Sequence, residues 1–189
     1  MNHTHDLVDV AQLLPELVID LKYASADNIT GHPIYRDARC LLHPRAAQGL
    51  ARSAEIARLA RLRLLIYDAW RPREAQRILW QFCPDPHYVV PDSQGSNHSR
   101  GTAIDLTLLD EHGTLLDMGA GFDDMQPRSH PFHPAVAPGA QRNRLLLNAL
   151  MYAGGFTGIA TEWWHFELPD AATYPLADGG FGCWPAPTM

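Results

Sequence analysis

The chain has 189 residues and a formal charge of −6, with 15 basic against 21 acidic side chains. This length fits one domain with a sizeable hydrophobic core, so we expect a single domain over residues 1–189. The acidic balance argues against nucleic acid as a partner, because proteins that bind it usually carry a basic excess or patch. We find no transmembrane stretch and no secretory signal, and therefore expect no membrane partner and a cytoplasmic protein, or a periplasmic one if a leader precedes this sequence.

Helices and strands are predicted to alternate along the chain. In chain order, we predict a strand over 17–24, a loop over 25–42, a helix over 43–62, a strand over 63–70, a helix over 73–82, a strand over 101–109, a loop over 110–138, a helix over 140–153 and a strand over 162–169. Pro44 and Pro72 stand where the first two helices begin, a position that suits the fixed φ of proline. Gly154 and Gly155 are predicted to end the third helix in a left-handed cap. Helices beside strands that are joined partly by hairpins indicate an α+β domain.

The segment SNHSRGTAID places a histidine and an aspartate around the start of a strand. With the period of two, Ile104 and Leu106 face the core and Asp105 projects from the less apolar face, beside small residues that leave room for a bulky group. Zinc takes imidazole nitrogen and carboxylate oxygen, and a catalytic zinc site keeps one position open. His98 and Asp105 are therefore candidates for two of three ligands. A histidine and an aspartate at this spacing, taken alone, are more often buried and hydrogen-bonded without a metal.

The segment EWWHF offers the missing groups, a third ligand at His165 and a base at Glu162. In a regular strand these two side chains point to opposite faces. We therefore expect a bend or bulge just before Trp163 that brings both to one site, since bulges are frequent beside active sites. Glu162 would then take the proton from a zinc-activated water.

Five segments together resemble the D-alanyl-D-alanine dipeptidase family, zinc dipeptidases that are related to the D,D-carboxypeptidases of peptidoglycan. The segments are DLKYASADNITG, YDAWRP, SNHSRGTAIDLTL, LDMGAGFDDMQPRSH and EWWHFEL. They run in the family's order from about residue 19 to residue 168. The resemblance implies a compact α+β domain with a central antiparallel sheet that carries one zinc ion per chain and is flanked by helices.

The resemblance also implies a role for each matching residue. His98, Asp105 and His165 fall on the zinc ligands, and Glu162 falls on the general base. Arg71 falls on the arginine that stabilises the oxyanion, a role that suits a planar, permanently charged donor.

The substrate of such an enzyme is a zwitterion, so both of its charged ends need partners. The resemblance places Asp123 at the substrate ammonium. It places Ser96, Tyr23 and Tyr35 among the polar groups that line the substrate site.

We therefore expect zinc-dependent hydrolysis of D-Ala-D-Ala to two D-alanines. One alternative is a D,D-carboxypeptidase that acts on peptidoglycan stem peptides, for which the short loop over 83–98 would leave a more open groove. The other is a non-catalytic zinc-binding or peptide-binding module, which would need neither Glu162 nor Arg71. Cys40, Cys83 and Cys183 form no C-x-x-C pair, which argues against a structural zinc site.

Overall fold

The structure is a computed structural model that describes residues 7–185. In chain order, its helices and strands are β1 (Val8–Asp9), α1 (Val10–Leu13), β2 (Val18–Ile19), β3 (Tyr35–Arg36), β4 (Leu41–Leu42), α2 (Pro44–Leu59), β5 (Arg63–Asp68), α3 (Arg73–Phe82), β6 (Ala103–Leu109), α4 (Pro138–Ala153), β7 (Thr157–Gly158), β8 (His165–Glu167) and β9 (Gly182–Cys183). None of the helices in this part of the chain combines the length and the apolar character that crossing a bilayer requires.

The largest sheet has five strands in the order β2-β5-β6-β8-β7. Its central pairs β5–β6, β6–β8 and β7–β8 are antiparallel, and helices flank it, which confirms the predicted α+β class. The expectation of a wholly antiparallel sheet needs a correction at one edge, where β2 pairs parallel to β5. The chain reaches β5 from β2 through α2, and such a long crossover with a helix is what parallel neighbours require.

The main core lies between this sheet and the pair α2 and α4. Ile104, Leu106 and Leu108 are fully buried in it, which confirms the side of β6 that was predicted to face inward. The two helices approach closely where α4 ends, since a Cβ on Gly154 would lie 2.6 Å from the carbonyl oxygen of Gly49. The predicted left-handed cap is present at Gly155, which has a φ of 92°.

A second, smaller core forms around α3. Ala75 and Leu79 of this helix pack with Tyr23, Tyr35 and Cys183. The predicted loop over 25–42 and the segment after residue 169 therefore contain short strands, because β3 pairs antiparallel with β9. The three cysteines of the chain are free thiols.

All four predicted strands are shorter than expected, and two of them are much shorter. The strand predicted over 17–24 ends at Ile19, and the chain turns into a 3₁₀ helix over Lys22–Ala24. The side-chain amide of Asn28 donates to the Lys22 carbonyl at 3.3 Å and stabilises this turn. The strand predicted over 162–169 covers only β8, because the two tryptophans before it form a turn.

Candidate active site

Three predicted metal ligands meet at one end of the main sheet. The register of β6 and β8 places Asp105 directly opposite His165, and His98 lies in a 3₁₀ turn just before β6. Gly101 returns the chain from this turn into β6 with a φ of 69°, a conformation that glycine adopts without strain. One potential ligand atom from each of the three residues lies within 4.8 Å of the other two. His98 Nε2 is 3.1 Å from His165 Nδ1 and 3.3 Å from Asp105 Oδ1.

The other ring nitrogen of each histidine is held by a partner outside this cluster. His98 Nδ1 lies 2.8 Å from the carbonyl oxygen of Ala69, and His165 Nε2 lies 2.9 Å from Glu167 Oε2. Asn97 in turn donates to the same Glu167 oxygen at 3.0 Å. Such partners fix the tautomer and the orientation of metal-binding imidazoles. They leave His98 Nε2 and His165 Nδ1 facing each other and Asp105.

The buried carboxylates and imidazoles of this cluster shift each other's pKa. Burial alone would lower the pKa of His165, but the carboxylates of Asp105 and Glu167 raise it to about 10. Burial alone would raise the pKa of Asp105, but the imidazoles of His98 and His165 bring it well below its usual range. Two nitrogens and one oxygen, with their outer partners in place, fit Zn²⁺ with one position open to substrate or water.

Glu162 reaches the cluster from the turn before β8. The turn lies at Trp163 and Trp164, slightly later than the bend predicted just before Trp163, and it places Glu162 Oε2 4.0 Å from His165 Nδ1. Trp163 fixes the turn, since its backbone N–H donates to the Ser129 carbonyl at 2.9 Å. Burial raises the pKa of Glu162 to about 8. A carboxyl group that titrates near neutral pH is suited to accept a proton and to return it.

Arg71 enters from the chain that leaves β5. Its Nε and Nη2 both contact Asp68 Oδ2, at 2.9 and 2.8 Å, and its Nη1 donates to Gln76 Oε1 at 2.9 Å. Nη2 also lies 3.6 Å from Asp105 Oδ2, which places the guanidinium beside the metal cluster. Burial opposes its charge, but the surrounding acidic groups, Asp68 foremost, raise the pKa of Arg71 well above its usual value. Arg71 is thus an oriented, permanent cation.

Asp123 lies in the loop before α4 and faces the same cavity. The Tyr23 hydroxyl donates to Asp123 Oδ1 at 2.9 Å, and the Ile29 backbone N–H donates to Oδ2 at 3.3 Å. Burial raises the pKa of Asp123 to about 7. The adjacent Asp124 does not line the cavity, so the structure distinguishes the two neighbouring carboxylates. Ser96 also lines it, and its hydroxyl accepts from the His98 N–H at 3.2 Å.

Tyr35 stands apart from the other predicted site residues. Its hydroxyl donates to Asp68 Oδ1 at 2.7 Å, so it lies behind Arg71 and is not part of the cavity lining. Asp68 and Glu167 were missed by the sequence reasoning. Glu167 follows His165 by two positions and shares its strand face, a periodicity that could have identified it. Asp68 is the single carboxylate of β5, which is a weaker signal.

The three candidate ligands line one cavity of about 280 Å³, together with Glu162, Arg71, Asp123, Ser96 and Tyr23. The loop over 83–98 forms part of its wall through Tyr88, Val89 and Val90. This volume is slightly below the range of about 300–1,000 Å³ that is common for ligand sites. A cavity of this size fits a small polar molecule.

The chain is similar to known proteins over almost its whole length. A family model described as D-ala-D-ala dipeptidase matches residues 3–183. The D-alanyl-D-alanine dipeptidase of Escherichia coli (strain K12) is 64% identical over 187 residues, which are 99% of this chain and 97% of that protein. The D-alanyl-D-alanine dipeptidase of Enterococcus faecium is 35% identical over 172 residues. This match covers 80% of this chain and 85% of that protein.

Among solved structures, a mutant of the vancomycin resistance D,D-pentapeptidase VanY in complex with Zn(II) has 14% sequence identity and a TM-score of 0.46. The match covers 73% of this chain and 79% of that one. The family match, by contrast, extends over almost the whole chain and includes every segment that contributes to the cavity. The chain therefore belongs to the D-ala-D-ala dipeptidase family.

Proposed function

We propose that this chain hydrolyses the dipeptide D-Ala-D-Ala to two D-alanines at one zinc centre held by His98, Asp105 and His165. The observation that carries the proposal is the convergence of these three ligand atoms within 4.8 Å, in a cavity that also contains Glu162 and Arg71. When bound, a zinc ion supplies Lewis-acid chemistry, because it lowers the pKa of water and polarises a carbonyl group.

Glu162 is proposed as the proton carrier of the reaction. Its carboxylate, 7% exposed and close to His165, takes a proton from the attacking water and delivers it to the leaving amine. Burial supports this role, because a pKa near neutrality allows one carboxyl group to act first as base and then as acid.

Arg71 is proposed to stabilise the negative charge that develops on the carbonyl oxygen. Its guanidinium is held by Asp68 and Gln76 before any substrate binds. A donor that is already oriented needs no reorganisation as charge develops, and this is the main advantage of electrostatic preorganisation. Arg71 is only 7% exposed, so its charged donor groups are shielded from solvent.

Asp123 is proposed to bind the free ammonium group of the dipeptide. Removing one partner of a desolvated ion pair leaves the other charge unpaired and typically costs a few kcal/mol. N-acetyl-D-Ala-D-Ala lacks the positive charge and adds bulk at this end. We therefore expect it to be cut at least ~100-fold less efficiently than D-Ala-D-Ala.

The test compares kcat/KM for D-Ala-D-Ala, L-Ala-L-Ala, N-acetyl-D-Ala-D-Ala and a stem pentapeptide. The proposal expects efficient release of D-alanine from the free D,D-dipeptide alone. Efficient cleavage of the pentapeptide would instead favour a D,D-carboxypeptidase. Absence of hydrolysis of all four by the zinc-loaded protein would favour a binding module.

A further inference from the structure

A second pocket lies immediately outside the active-site cavity, and the two share a wall. This outer pocket has a volume of about 340 Å³ and opens to solvent beside Asp27, whose side chain is 78% exposed. Ile29 and Asp123 line both spaces. The two pockets are therefore adjacent at the end where the substrate ammonium is proposed to bind.

The chain around Ile29 is held in place by hydrogen bonds between main-chain groups and polar side chains. The N–H of Ile29 donates to Asp123 Oδ2 at 3.3 Å. The loop around it is fixed by Asn28, whose amide donates to the carbonyl oxygens of Ser25 and His32 at 2.7 and 2.9 Å. None of these bonds uses the side chain of Ile29. Shortening that side chain should therefore leave the hydrogen bond to Asp123 intact.

The chemistry of the outer pocket suits a positive charge. Three carboxylates line it, those of Asp27, Asp123 and Asp124, against the single ammonium of Lys22. Lys22 is already paired with Asp27 at 2.5 Å and with Asp20 at 2.7 Å. An additional ammonium group entering the pocket would meet an excess of negative charge.

We propose that the side chain of Ile29 is the specificity determinant that limits the enzyme to dipeptides at the amino end. Without it, the outer pocket becomes a subsite for one additional amino-terminal residue that carries a free ammonium. Water then adds across the last peptide bond of D-Ala-D-Ala-D-Ala and releases D-Ala-D-Ala and D-alanine. This inference rests on the proposed dipeptidase function and extends it by naming the residue that limits the length of the substrate.

The experiment measures consumption of D-Ala-D-Ala and of D-Ala-D-Ala-D-Ala by chromatography, because further cleavage of the product would confuse an assay of D-alanine release. For Ile29→Ala we expect the tripeptide-to-dipeptide ratio of kcat/KM to rise at least ~10-fold, within the range that a few missing carbon atoms can contribute to specificity. Ile29→Val should raise the ratio less. In Ile29→Ala, kcat/KM for N-acetyl-D-Ala-D-Ala should rise less than kcat/KM for the tripeptide, because the acetylated substrate brings no ammonium to the outer pocket.

The matched control is Ile159→Ala. Ile159 also lines the active-site cavity, but its other side borders a different pocket, beside His130 and Phe132. This variant removes the same carbon atoms and should leave the ratio within about twofold of wild type, below the 10-fold scale of a specificity change. An equal rise in both alanine variants, or an unchanged ratio in both Ile29 variants, would overturn the inference. Failure of the wild type to cut D-Ala-D-Ala would instead overturn the proposed function.

Discussion

Two buried carboxyl groups of the cavity respond in opposite ways to their surroundings. Asp105 contacts two imidazoles, so the pKa of its carboxyl falls well below the usual range despite burial. Glu162 is 4.0 Å from the nearest imidazole nitrogen, and burial dominates, so its pKa rises to about 8. One carboxylate is thus suited to remain a charged ligand, while the other is suited to exchange a proton.

Replacing Glu162 separates metal binding from catalysis. Glu162→Gln keeps the shape of the side chain but cannot accept a proton. We expect full metal content and a loss of at least ~10² in kcat, measured by D-alanine release and metal analysis. Glu55→Gln, on the exposed face of α2, should keep wild-type turnover. Near-normal turnover of Glu162→Gln would mean that another group takes the proton.

Asp123 should make substrate binding depend on pH. Burial raises its pKa to about 7, with Asp105 adding to the rise, while the Tyr23 hydroxyl and the Arg71 charge oppose it. The carboxyl group is therefore charged above this pH and neutral below it. In the Glu162→Gln background, we expect the Kd of D-Ala-D-Ala in calorimetry to rise about tenfold per unit below pH 7. Above about pH 8 the dipeptide amine loses its own charge, and binding should weaken again.

The control for this pH dependence is the neighbouring carboxylate. Asp123→Asn should abolish the rise in Kd below pH 7, which is the acidic limb of the profile. Asp124→Asn should retain this rise, because Asp124 lies outside the active-site cavity. An acidic limb that persists unchanged in Asp123→Asn would show that a different group binds the ammonium.

At the scale of elements, α4 organises the loop that precedes it through one buried cation. Arg144 is fully buried and donates to the carbonyl oxygens of Met118, His130 and Arg128 at 2.6, 2.8 and 3.0 Å. Its guanidinium carbon also lies 5.9 Å from the centre of the Trp163 ring. One side chain thus joins the helix to the loop that carries the proposed ammonium partner and to the turn that carries the proposed base.

Loss of this cation should weaken the whole fold. Arg144→Met leaves three carbonyl oxygens without their donors, and an unsatisfied buried polar group costs about 1–3 kcal/mol. We expect the free energy of unfolding in urea to fall by about 2–4 kcal/mol. Arg142→Met, an exposed position on the same helix, should change it by less than about 0.5 kcal/mol. Equal stability of the two variants would contradict the linking role of Arg144.

At the scale of the whole molecule, the sequence predicted the long periodic elements and the grouping of the three candidate metal ligands better than the connections between elements. The core side of β6 followed from alternation, and the grouping of His98, Asp105 and His165 followed from ligand chemistry and the family resemblance. The short pairing of β3 with β9 could not be read from sequence, because two-residue strands carry no periodicity. The contact of Tyr35 with Asp68 depends on that pairing, so the position of Tyr35 behind Arg71 was equally hidden.

The central claim is that one zinc ion per chain enables D-Ala-D-Ala hydrolysis, and chelation tests it most directly. The measurement is the rate of D-alanine release by the wild-type protein before chelation, after chelation with zinc removal verified by metal analysis, and after titration with zinc. We expect activity to vanish with the metal and to return in proportion to added zinc, with saturation at one equivalent per chain. Undiminished release of D-alanine by the verified metal-free protein would contradict the account.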